Sequence, residues 1–135
     1  MTTKEERDVA RKLVLDLEPG EGRTVWSTWR SKHMQSTPTH GYLVSMKRTG
    51  MRLGFQPSVG LVATWLRLVR LLELGGHLCS PDCVGVWQDG GYWYMDANVH
   101  FWMKETALEI AQEQDQKSVW DLAEGKALTV PARKG

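Results

Sequence analysis

The stretch Val84-Gly85-Val86-Trp87-Gln88-Asp89-Gly90-Gly91-Tyr92-Trp93-Tyr94-Met95-Asp96 decides how the chain is read. Two aromatic, alternating segments flank Asp89-Gly90. Asp-Gly between apolar strands predicts a tight hairpin, because both turn positions tolerate positive φ. We place the hairpin at Cys83 to Asp96. Downstream, Leu108 and Ala111 mark a helical run from about Met103 to Gln114, and Ser118 to Leu122 has strand composition. A turn at Glu124-Gly125 lets Ala127 to Val130 pair back. Residues 83–130 therefore read as a hairpin-helix (ββα) unit with C-terminal strands.

The same logic recurs upstream. Gly41 to Arg48, a Thr49-Gly50 turn and Met51 to Phe55 predict a second hairpin, although Thr-Gly is a weaker turn signal than Asp-Gly. Ser58 then stands as the N-cap of a helix. Val59, Val62, Leu66, Val69 and Leu72 form its apolar side, widened by Leu61, Trp65 and Leu68, while Thr64, Arg67, Arg70 and Glu73 face away. Gly75-Gly76 stops it. Residues 41–76 make a first ββα unit, displaced from the second by about 40 residues, a spacing typical of duplicated supersecondary units.

Residues 1–20 predict an amphipathic helix. Thr2 with Glu5, or Thr3 with Glu6, has capping-box spacing; Val9, Leu13 and Leu17 share a face suited to docking on a sheet, and Pro19-Gly20 ends the run. Thr24 to Arg30 has strand-like composition, with Trp26 and Trp29 on opposite faces, and Ser31 to His40 reads as a loop. The expected fold is α+β, a single globular domain over 1–135 in which an antiparallel sheet from the two ββα units carries helices on one face.

Composition supports this. With 41% apolar residues and seven Trp in 135 residues, one ordinary core is within reach. The N-terminus lacks the apolar core of a secretory signal, and no run approaches the roughly 20 apolar residues of a membrane span. The expected location is cytoplasmic, without membrane association. Two Cys make no disulfide framework.

Charge says most about partners. The net charge of +1 hides strong segregation: residues 1–21 carry four basic and six acidic groups, 22–72 eight basic and none acidic, and 73–135 five basic and ten acidic. Cations interleaved with aromatics suit phosphates and exposed bases. Trp26, Trp29, Arg30, Lys47, Arg48, Arg52, Arg67 and Arg70 are accordingly the candidate partner- or nucleic-acid-binding residues. The alternative is that this basic middle pairs with the acidic end inside the fold, and that the Trp residues are core.

Chemical motifs are thin. His77, Cys79 and Cys83 place one imidazole and two thiols close together, and His100 or His40 would complete a zinc site, yet Cys-x3-Cys without a second Cys pair favours free thiols. Ser80 or Cys83 with His77 and Asp82 lacks the Gly-x-Ser-x-Gly elbow of a nucleophile. Asp89 reads as a turn residue, and Asp96 and Asp121 as solvated strand ends. No Gly-rich loop precedes a helix with a Lys-Ser/Thr signature, so neither cofactor nor catalytic residues are expected.

The hairpin Val84 to Asp96, the helix with Glu105-Thr106-Ala107-Leu108-Glu109 and the run Gln116 to Lys126 resemble a type of small uncharacterised protein of actinobacteria and their phages, over about the last 50 residues. Gly41 to Ser45 is a weaker upstream match. The resemblance implies a mobile-element context. It supplies no catalytic residues, and it favours an accessory protein that binds a host or phage protein, with inhibition of that protein as one outcome. Nucleic-acid binding by residues 22–72 and an enzyme of unknown chemistry are the two alternatives.

Overall fold

A computed structural model describes residues 2–14, 23–26, 38–76 and 81–132, with only the backbone of 23–26. In chain order these form α1 (Lys4–Val14), β1 (Arg23–Trp26), β2 (Tyr42–Ser45), a 3-10 turn (Lys47–Thr49), β3 (Met51–Leu53) and α2 (Val59–Leu74). Then come β4 (Cys83–Asp89), β5 (Tyr92–Phe101), α3 (Lys104–Glu113), β6 (Ser118–Asp121) and β7 (Lys126–Thr129). The strands make one antiparallel sheet in the order β1-β4-β5-β2-β6-β7, and β3 also pairs with β5. The fold is α+β.

The β4–β5 hairpin is the spine. It pairs in register from Cys83↔Asn98 to Asp89↔Tyr92. Because Asp89 itself pairs, the turn is Gly90-Gly91, with φ of +58° and +82°, one residue later than the sequence reading. Two successive positive-φ residues give a type I′ turn, whose twist matches the strands it joins. β5 continues for ten residues, longer than the hairpin requires, and so offers its far edge to other strands.

That far edge overturns the predicted upstream hairpin. Tyr42–Ser45 pairs with Phe101–Asn98 and Met51–Leu53 pairs with Met95–Trp93, so β2 and β3 lie end to end along β5 and not against each other. Residues 46–50 detour where only Asp96 and Ala97 stand on β5. Thr49 closes the gap. Its hydroxyl donates to Met46 O at 2.7 Å and accepts from Ala97 N at 3.0 Å, while Met46 N donates to Ala97 O at 2.9 Å. A side chain thus takes over ladder bonds that a strand residue would make, which buried backbone groups require. The Thr49-Gly50 signal marks this detour, and the 41–76 segment is no ββα unit.

The odd-numbered residues of β5 from Trp93 to Phe101 face the helices. Over one half, Val84, Val86, Trp93, Met95 and Ala97 pack with Val9 and Leu13 of α1 and with Val62, Trp65, Leu66 and Val69 of α2. Over the other, Val44 and Val119 pack under Ala107 and Ala111 of α3. Each fully buried aliphatic side chain contributes about 1.5 to 3 kcal/mol, so the larger first cluster dominates stability. Caps follow the sequence closely. Ser58 Oγ accepts from Leu61 N at 3.1 Å, and of the two capping-box options Thr3/Glu6 forms, with Glu6 N to Thr3 Oγ1 at 3.1 Å and Thr3 N to Glu6 Oε1 at 2.8 Å. Leu17, the 27–37 stretch, His77 and Cys79 lie outside the described residues.

Candidate functional site

The predicted binding residues whose side chains are described do not converge on one patch. Arg67 is partly exposed, and its guanidinium is 3.8 Å from Glu6 Oε2, a buried carboxylate oxygen, so that it ties α2 to α1. Lys47 pairs with Asp115 beyond α3, and its backbone N–H donates to Gln114 Oε1 at 2.9 Å. Arg52 sits over the Tyr92 ring at 4.7 Å. Arg70 is half-buried on α2, and Arg48 is exposed. The side chain of Trp26, with Trp29 and Arg30, lies outside the described residues. The remaining Trp residues divide: Trp65 and Trp93 are core, whereas Trp87, Trp102 and Trp120 are exposed.

Of the zinc candidates, Cys83 is buried and free in β4, where burial pushes its thiol up and the carboxylates of Asp96 and Asp82 add to the shift. Such a thiol is unreactive. His100 Nε2 is engaged with His40 O at 2.9 Å, and the Asp82 side chain accepts from His100 N at 2.8 Å. Among the described residues no three His, Cys, Asp or Glu side chains group as a metal site.

Two surfaces stand out instead. On the helix side, a groove of about 350 Å³ opens between α2 and the detour before β3, lined by Arg48, Met51, Trp65, Leu68, Leu71 and Leu72 among others. Trp65 Nε1 donates to Thr49 O at 2.8 Å and so fixes its floor. Leu68, Leu71 and Leu74 are 53%, 49% and 74% exposed, and Phe55 and Met51 are also exposed. Sequence reasoning placed Leu68 in the core stripe. The stripe is wider than the described sheet covers: β3 is only three residues long, and Leu68, Leu71 and Leu74 stay exposed.

On the opposite sheet face, the even-numbered side chains of β5 meet Ser45 and Trp87. Asp96 is buried in mid-strand, which corrects its reading as a solvated strand end. Its Oδ2 accepts from Trp87 Nε1 at 3.0 Å and lies 3.0 Å from Ser45 Oγ, and its Oδ1 accepts from Asn98 Nδ2 at 2.9 Å. Ser45 Oγ also lies 2.9 Å from Asn98 Oδ1. Burial pushes the Asp96 carboxyl above its ordinary value, against the opposing pull of the bonds from Asn98, Trp87 and Ser45. Trp87 stacks on Tyr94 with centroids 4.3 Å apart and planes 14° from parallel. The signal for this row was present as the alternation Asp96, Asn98, His100 against Ala97, Val99, Phe101. Asp121 is buried too, and its Oδ1 accepts from Glu124 N at 3.2 Å to hold the β6–β7 turn.

None of this geometry assembles a nucleophile, a base and an oxyanion donor around a common point. Comparison with protein-family models, with curated proteins and with solved structures gives no match, so the site is read from its own residues.

Proposed function

We propose that this chain is a non-enzymatic interaction protein that binds a partner protein through the α2–β3 groove, as a phage or mobile-element accessory protein would bind and inhibit a host protein. The observation that carries the reading is the run of exposed Leu68, Leu71 and Leu74 beside the groove. Contiguous exposed apolar surface is costly to keep in water, and it is the usual mark of a recognition surface. The occupant we assign is an acidic amphipathic segment of the partner. Among the described residues that line the groove, exposed Arg48 is the one charged side chain and none is acidic. Apolar anchors in the groove supply affinity and the cationic rim supplies steering. The resemblance of the last 50 residues to actinophage proteins supplies the mobile-element context.

The test is capture from nuclease-treated host lysate, followed by titration of the purified partner against the wild type and a Leu68→Glu, Leu71→Glu variant. Both side chains are exposed, so the fold should survive. We expect one-to-one binding that weakens at least about tenfold in the variant, the loss typical of removing an interface anchor. Equal binding by both proteins, or self-association abolished by the same changes, overturns the assignment.

A nucleic-acid reading has one specific observation in its favour: Arg52 over Tyr92, close to the stacked Trp87–Tyr94 pair, on the sheet face opposite the described helices. Stacking of bases on such rings is sequence-tolerant, and a phosphate contact at Arg52 would make binding fall with salt. Arg52→Glu tests this more cleanly than Arg67→Glu, which would place a second carboxylate beside Glu6.

A further inference from the structure

Ser45, Asp96 and Asn98 form a closed ring of three side chains, and its protons can be counted. The contacts are Asp96 Oδ2 to Ser45 Oγ, Ser45 Oγ to Asn98 Oδ1, and Asn98 Nδ2 to Asp96 Oδ1, at 3.0, 2.9 and 2.9 Å. Each contact needs one hydrogen between its heavy atoms. Ser45 has one. Asn98 turns a carbonyl toward one neighbour and an amide toward the other, so it supplies one whichever way the amide is oriented. The third has a single source within the ring, the carboxyl of Asp96. With it, Asp96 donates to Ser45, Ser45 to Asn98 and Asn98 back to Asp96, while the Trp87 indole adds a fourth bond to Oδ2. Without it, one contact of the ring is left lone pair to lone pair, at Ser45 or, with the amide turned, between Asp96 and Asn98, where Ser45 is half-buried and Asn98 and Asp96 are 8% and 9% exposed. Such a buried mismatch is expensive.

We infer that the folded protein holds Asp96 as a neutral acid inside this ring, and that the ring is a proton-linked device which loosens the β2–β5 junction as pH rises. The described surroundings agree. Gly85 is opposite Asp96, Cys83 is opposite Asn98 with Asp82 next to it, and Leu43 is opposite His100, whose ring nitrogen is engaged with His40 O. The described cation on this face, Arg52, is opposite Tyr94 with its guanidinium over Tyr92. Burial, the leading influence on this carboxyl, disfavours its charged form against the bonds from Asn98, Trp87 and Ser45. An acid that binds its proton more tightly folded than unfolded stabilises the fold fully at or below its ordinary value of 3.8, and this contribution is lost as pH climbs through the raised native value.

The experiment compares thermal unfolding of the wild type and Asp96→Asn from about pH 4 to about pH 9, with the Asp96 carboxyl followed by carbon NMR in the wild type. In the variant an amide supplies the third hydrogen permanently: its carbonyl takes the Trp87 and Ser45 side, its NH2 faces Asn98 Oδ1, and the ring runs in reverse. We expect the wild type to lose Tm relative to the variant as pH rises, and its carboxyl to titrate above 3.8. Parallel Tm profiles, or a carboxyl that titrates at or below that value, overturn the inference. The NMR titration needs no variant, so it decides the matter even if Asp96→Asn fails to fold.

Discussion

The two edges of β5 are built on different principles. On one, β4 runs back through a two-glycine turn and pairs without interruption from Asp89 to Cys83. On the other, β2 and β3 share the edge, and the gap between them is bridged by one hydroxyl. The first edge is local: its turn sets its register, and little chain entropy is spent on closing a two-residue loop. The second joins residues about 50 apart in sequence, as Thr49 and Ala97 show with a separation of 48. It depends on special contacts at its ends and in its middle. The split edge should therefore be the more fragile to single changes, although the hairpin carries the more obvious signal.

The largest expected effect is at the end of the split edge. Gly41 has φ of +97°, and a Cβ there would lie 2.3 Å from His100 Nε2 and 2.9 Å from Phe101 O. Gly41→Ala should cost about 3 kcal/mol, the upper end for a side chain forced into a conformation that belongs to glycine. Chemical denaturation would measure it, and an unchanged midpoint would mean that β2 enters the sheet differently. Next is the bridge. Thr49→Val keeps the shape but leaves the buried Ala97 N without its acceptor, while Met46 O keeps the Thr49 N–H, at a cost of about 2 kcal/mol. Hydrogen exchange sharpens this test, because faster exchange should concentrate at Ala97.

On the continuous edge, Gly90→Val places a β-branched residue at φ of +58°, and we expect a loss of about 1.5 kcal/mol by thermal melting. A cost larger than that of Thr49→Val would reverse the comparison between the edges. The smallest effect belongs to the exposed pair that ties the detour to the far end of α3. Lys47 and Asp115 are 62% and 57% exposed, so Lys47→Met should shift the denaturation midpoint by less than about 0.5 kcal/mol, a value within which many surface ion pairs fall.

The same contrast holds for the candidate sites. The α2 stripe was visible as a helical period, but which of its leucines are buried depends on how much sheet lies beneath them. Leu66 has β4 and β5 below it, while Leu68 and Leu71 overhang a three-residue strand. The basic run from Arg23 to Arg70 was plain in the composition, yet the fold sends Arg67 to Glu6, Lys47 to Asp115 and Arg52 to Tyr92. Charge segregation along a chain specifies total field and not patch geometry. Asp96 was read as a solvated strand end because the hairpin was stopped there; carrying the alternation five residues further, to Phe101, places it in mid-strand.

What this chain determines by itself is whatever depends on neighbours in sequence. The three described helices and their capping residues Thr3 and Ser58, the Gly75-Gly76 stop, the β4–β5 hairpin and the β6–β7 return all follow from propensity, periodicity and turn chemistry within a few residues. What only the tertiary structure decided is the partner of each remaining group: β2 and β3 against β5, Thr49 in the ladder gap, Glu6 beneath Arg67, and Ser45 with Asp96 and Asn98. The reason is physical. A buried backbone or carboxyl group must find a hydrogen-bond partner, but nothing in its local sequence says which distant donor or acceptor will be in reach once the apolar faces have collapsed together.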